Sequence, residues 1–89
     1  MNYRVELSKQ AKKALSSGVA KLDGLMALLD KFVSRIEGED VNVDSRKLEG
    51  IWRGYYRLRT GDMRIIIRAD FKNRCIYVKK IGPRGDVYK

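Results

Sequence analysis

The spacing of apolar side chains changes period twice along the chain. Residues 3–7 (Tyr3, Arg4, Val5, Glu6, Leu7) alternate with period two, as a short half-buried strand does. Ser8 then offers a hydroxyl N-cap for a helix over 9–15, and Ser16, Ser17 and Gly18 close it. From 20 to 36 the period lengthens. Leu22, Leu25, Met26, Leu29, Phe32, Val33 and Ile36 recur at three- and four-residue steps, predicting a second, longer helix with one core-facing stripe interrupted by Gly24. Residues 38–45 are acidic and polar and read as a loop. Period two then returns, and strands are predicted over 51–59, 62–69 and 74–81. Thr60-Gly61 and residues 70–73 separate them, and loops this short join antiparallel neighbours. The order strand, helix, helix, three-stranded meander predicts an α+β fold. One domain over 1–89 places a two-helix hairpin on one face of a mostly antiparallel sheet that includes the N-terminal strand.

Alternation sorts the strand residues into two faces. Trp52, Gly54, Tyr56 and Leu58 point one way, and Arg53, Tyr55, Arg57 and Arg59 the other. Met63, Ile65 and Ile67 oppose Arg64, Ile66 and Arg68, while Ile76 and Val78 oppose Cys75, Tyr77 and Lys79. Joining the apolar sides predicts a core of Trp52, Tyr56, Leu58, Ile65, Ile67, Ile76 and Val78 beneath the helices. The opposite face then carries Arg53, Arg57, Arg59, Arg64, Arg68 and Lys79, with Tyr55 and Tyr77 among them.

Charge reinforces that division. The 89 residues carry a formal net charge of +9. Residues 1–45 hold seven basic and seven acidic side chains, whereas 46–89 hold thirteen basic and four acidic, so the whole excess lies in the meander half. One-sided excess of this kind points to a polyanionic partner. Arginine forks match phosphate geometry, and tyrosine rings stack on unpaired bases at about 1–3 kcal/mol each. Neither helix carries a recognition stripe for a duplex groove, so single-stranded nucleic acid or structured RNA fits better than duplex DNA.

Composition also narrows the chemistry. There is no histidine and a single cysteine, Cys75, so a zinc site, a Cys–His dyad and an internal disulfide cannot be assembled. Glu37, Glu39, Asp40 and Asp44 form no cation-binding loop pattern, and neither metal nor cofactor is expected. No apolar run approaches the ~18 residues of a membrane span, and the N-terminus lacks a secretory apolar region. A cytoplasmic protein is the expectation.

Three stretches resemble a known family: Lys47-Leu48-Glu49-Gly50, then residues 56–65 (YRLRTGDMRI), then residues 81–88 (IGPRGDVY). Together and in this order they resemble the RelE/ParE toxin superfamily of prokaryotic type II toxin–antitoxin systems, and the likeness covers nearly the whole chain. The resemblance implies a RelE-like microbial ribonuclease fold. On the favoured RelE-like branch it implies a ribosome-dependent mRNA endoribonuclease, or mRNA interferase, that cuts A-site mRNA and arrests translation. ParE-like members, associated with plasmid stabilization, inhibit DNA gyrase instead; that function, or a weakened RNA-binding relative, is the alternative.

The resemblance further implies that Arg57 takes the place of a strand lysine and Arg64 that of the arginine after the glycine turn. Arg84 takes that of the late arginine and Tyr88 that of the terminal tyrosine. Tyr55 stands where a second strand lysine occurs. The partners implied are a small acidic antitoxin, the ribosome and mRNA. The candidate catalytic set is Arg57, Arg64, Arg84 and Tyr88. The candidate RNA-binding set is Arg53, Tyr55, Arg59, Arg68, Tyr77 and Lys79. In-line attack of a 2′-hydroxyl on the adjacent phosphate needs orientation and charge stabilisation, which such residues supply without histidine or metal. Free tyrosine has a pKa of about 10. Tyr88 would therefore serve as a base near neutrality only if nearby arginines lowered that value.

Overall fold

Residues 4–7 alternate exposed and half-buried positions and form the first strand, β1 (Arg4–Leu7). The computed structural model describes residues 1–61 and 63–83. Ser8 ends β1 and starts α1 (Lys9–Ser16): its Oγ accepts from the Ala11 N–H at 3.0 Å and donates to the Lys79 carbonyl at 2.6 Å. Gly18, at φ +83°, follows the helix, and α2 (Leu22–Ile36) begins after Lys21. Gly24 has nothing within 4 Å of an added Cβ, so it marks no close packing.

The buried stripe of α2 is Leu25, Leu28, Leu29, Phe32 and Val33. It differs from the predicted stripe. Leu22, Met26 and Ile36 lie exposed along the helix, while Leu28 turns inward. A helix resting on one sheet buries only the arc that faces it, and the outer apolar positions stay in water.

The remaining elements are β2 (Asp44–Lys47), a 3₁₀ turn (Gly50–Trp52), β3 (Tyr56–Thr60), β4 (Met63–Asp70) and β5 (Cys75–Pro83). They form one five-stranded sheet ordered β1-β5-β4-β3-β2, with β1 parallel to β5 and every other pair antiparallel. The meander thus has four strands, not the expected three. β2 lies inside and just beyond the segment read as a loop; its four residues, Asp44, Ser45, Arg46 and Lys47, are all exposed at the sheet edge and carry no apolar signal. The strand expected over 51–59 begins only at Tyr56. Gly50 at φ +64° and Gly54 at φ +92° turn the chain through the 3₁₀ segment, conformations that favour glycine.

The core lies between the helices and one sheet face. Leu58, Ile65, Ile67, Ile76, Val78 and Ile81 pack against Ala11, Ala14, Leu25, Leu29, Phe32 and Val33, and Tyr56 meets Phe32 edge-on at 5.2 Å between centroids. Trp52 departs from the expected core. Carried on the 3₁₀ turn and not on a strand, it packs edge-on against Tyr55 at 5.6 Å. A β-bulge makes a second correction. Ile67 pairs with Val78 but Ile66 pairs with Lys80, so Lys79 is the extra residue. Strict alternation would send Lys80 inward. The bulge instead turns Ile81 into the core and Lys80 to the other side. Among the described residues no helix is long and apolar enough to cross a membrane.

Candidate RNA-binding face

The sheet face without helices is organised by strand register into three rows. The first runs Asp44, Arg59, Arg64, Gly82 across β2, β3, β4 and β5. The second runs Arg46, Arg57, Ile66, Lys80. The third runs Arg68, Tyr77, Glu6 across β4, β5 and β1. A rigid sheet therefore holds five arginines and a lysine within three adjacent rows, as a phosphate-binding surface requires.

Like charges directly opposite one another, as Arg59 and Arg64 are, repel. The single carboxylate of the first two rows, Asp44, offsets part of this. Its Oδ1 accepts from Arg57 Nη2 at 2.7 Å and its Oδ2 from Arg59 Nε at 2.9 Å. Arg64 has no ion pair among the described residues. The Nε atoms of both Arg57 and Arg64 are buried without a hydrogen-bond partner. An unsatisfied buried donor costs about 1–3 kcal/mol, so the site holds both arginines against a local energetic penalty. Gly82, opposite Arg64, adds no side chain to that spot.

Hydrophobic and aromatic contacts stiffen the rest of the face. Ile66 is fully buried although it belongs to the open side, outside the main core. The side chains flanking it therefore close over it. Lys80 Nζ lies 5.7 Å from the centre of the Trp52 ring, which brings the 3₁₀ turn to the second row. Arg68 sits between two tyrosines, with its guanidinium carbon 5.7 Å from the ring centres of both Tyr55 and Tyr77. The rings of Tyr55 and Tyr77 thereby hold Arg68 in place.

Of the residues expected from sequence, Arg57, Arg59, Arg64, Arg68 and Tyr77 share this face, with Tyr55 beside Arg68. Arg53 is not on a strand: it follows the 3₁₀ turn, exposed, and lines a cavity of about 420 Å³ with Lys47, Glu49 and Tyr55. Lys79 occupies the bulge. Arg84 and Tyr88 lie outside the described residues. Alternation alone misses Arg46, Asp44, Lys80 and Trp52. The two on β2 had no strand signal, and the two others are repositioned by the bulge and the 3₁₀ turn. Among the described residues, no group of three His, Cys, Asp or Glu side chains is placed to hold a metal ion.

Away from this face, Asp70 closes the β4–β5 turn. Its carboxylate accepts from the Asn73 side-chain amide at 2.7 Å and the Asn73 backbone N–H at 3.1 Å, and the side-chain bond first, then the backbone one, holds its pKa below the ordinary value.

The chain is similar to several solved toxin structures. An archaeal RelE–RelB complex from Pyrococcus horikoshii contains a chain 36% identical, aligned over 98% of this chain and 100% of that one with a TM-score of 0.60. The RelBE2 toxin–antitoxin complex from Mycobacterium tuberculosis aligns over 94% and 100% of the two chains at 19% identity and a TM-score of 0.61. The DinJ–YafQ complex from E. coli aligns over 99% and 100% at 14% identity and a TM-score of 0.67. No family model and no curated protein matches the chain.

Proposed function

The chain belongs to the RelE-like toxin superfamily, and from that premise we propose that it is an mRNA interferase, a ribosome-dependent endoribonuclease that cuts A-site mRNA. The observation that carries the reading is the cluster of Arg57, Arg59 and Arg64 in adjacent rows of a rigid basic face, with Arg64 in no ion pair among the described residues.

The reaction is an internal phosphoryl transfer. The substrate's own 2′-oxygen attacks the adjacent phosphorus, the O2′–P bond forms and the P–O5′ bond breaks. The products are a 2′,3′-cyclic phosphate and a 5′-hydroxyl. One proton leaves the 2′-hydroxyl and one reaches the departing 5′-oxygen. Because the nucleophile belongs to the substrate, no metal-bound water is needed. Arg57 and Arg64 hold the non-bridging oxygens and set the in-line geometry, and Arg84 stabilises the charge that grows in the transition state. Tyr88 moves a proton or stacks on a base. Arg59, Arg68 and Lys79, with Arg53, Tyr55 and Tyr77, hold flanking nucleotides; Arg46 and Lys80 extend that track. The partners are ribosome-bound mRNA and an acidic antitoxin that covers the basic face in the cytoplasm; the RelE–RelB and DinJ–YafQ complexes support an antitoxin partner.

Purified chain added to mRNA-programmed ribosomes tests this. Fragments cut at the A-site codon, with 5′-hydroxyl and 2′,3′-cyclic phosphate ends, are expected. Intact mRNA in that mixture, together with inhibition of gyrase supercoiling, would establish the ParE-like alternative.

A further inference from the structure

Asp44 is an acidic residue in a place that repels the expected substrate. It stands at the end of the row that holds Arg59 and Arg64, on an edge strand whose four residues are all exposed. Its two oxygens are both engaged, one by Arg57 Nη2 at 2.7 Å and the other by Arg59 Nε at 2.9 Å. Arg57 is 13% exposed at its side chain and Arg59 37%, so the carboxylate grips a nearly buried arginine and a half-exposed one at once. The grip leaves Arg57 Nη1 outside the ion pair, and Arg57 Nε is buried without a partner.

We infer that Asp44 is a positioning residue for the cleavage step: it pins Arg57 and Arg59 so that Arg57 Nη1, outside the ion pair, meets the scissile phosphate in fixed geometry. The inference rests on the nuclease reading of this face. A planar guanidinium held at one Nη by a carboxylate cannot swing on its long stem, so its other N–H groups are already oriented when RNA arrives. The cost is a negative charge beside the phosphate. Asp44 therefore opposes binding while it promotes reaction, and these two effects separate in a single variant.

Asp44→Asn keeps the shape and removes the charge. Expected are about 2–5-fold tighter binding of a short single-stranded RNA, from the lost repulsion, and about 10-fold or more slower A-site cleavage at saturating toxin, from the loosened arginine. Asp44→Glu restores the charge and is expected to recover much of the rate. Faster cleavage in Asp44→Asn makes Asp44 only a competitor of the phosphate and overturns the inference. A parallel loss of binding and cleavage, or no change in either, also overturns it.

Nitrogen-15 relaxation of the Arg57 Nε–H group in the wild-type chain and in Asp44→Asn supplies an arm independent of catalysis, with the variant's backbone amide spectrum reporting that it folds. Arg57 Nε is expected to be rigid in the wild-type chain and measurably more mobile in Asp44→Asn, and equal mobility in the two overturns the inference. If wild-type protein binds RNA but never cuts it, the nuclease reading falls, and the relaxation result still decides whether Asp44 pins Arg57.

Discussion

The Asp44 fork can be measured in energy. Replace Asp44 by Asn, Arg57 by Gln and Arg59 by Gln, singly and in the two Asp–Arg pairs, and close two double-mutant cycles in urea unfolding. At 2.7 Å, opposite unit charges attract by about 1.5 kcal/mol even at the dielectric of water. Asp44 is 42% exposed, so solvent screening holds the gain near that figure and well below interior values. Against it stands the entropy of fixing each arginine, up to about 2 kcal/mol for a free side chain. Arg57, 13% exposed, has less freedom left to lose than Arg59, which is 37% exposed and gives up more of it in the pair. The expected couplings are about 1 kcal/mol for Asp44–Arg57 and about 0.3–0.5 kcal/mol for Asp44–Arg59. Equal couplings, or a larger one for Arg59, would refute the claim that burial decides which ion pair matters.

Other outcomes follow from local geometry. Gly24→Ala, in a regular helix with open space around it, should stabilise by about 0.5–1 kcal/mol. Gly54→Ala at φ +92° has the same open space yet should destabilise by about 1 kcal/mol, and thermal melts of the pair separate backbone strain from packing. Gln10→Ala removes the amide that donates to the Ile81 carbonyl at 2.7 Å and accepts from the Ile81 N–H at 2.9 Å; a loss of about 1–3 kcal/mol in urea unfolding is expected. Asn73→Ala should raise the Asp70 pKa toward the ordinary carboxylate value in an NMR titration. Because the folded value is depressed, the wild-type contribution is present above the unfolded-chain pKa and disappears as pH falls through the folded one, so the variant should lose stability at neutral pH but not in strong acid.

Where side-chain pattern and backbone agreed, the fold was legible in the amino-acid order. Ser8 caps α1 as its position before Lys9 implied, and β4 keeps Ile65 and Ile67 inward and Arg64 and Arg68 outward. β2 was illegible because Asp-Ser-Arg-Lys has no apolar residue on either face; ladder bonds and the Asp44 ion pairs hold it, and neither has a periodic signature. The segment 51–55 alternates like a strand, yet left-handed backbone at Gly50 and Gly54 redirects it and carries Trp52 to the open side. The bulge at Lys79 is equally silent in sequence, since Lys79 and Lys80 are interchangeable to any hydropathy pattern. Half of the candidate face could thus be read from alternation. Its acidic member and its outer cations needed the register.

The most direct measurement is induction of the chain without its antitoxin, followed by mapping of mRNA 5′ ends in ribosome-bound fractions, with Arg64→Ala as the comparison. New ends clustered at A-site codons are expected, and they should disappear in Arg64→Ala. Unchanged ends with translation still running, or the same ends in the Arg64 variant, would contradict the nuclease reading.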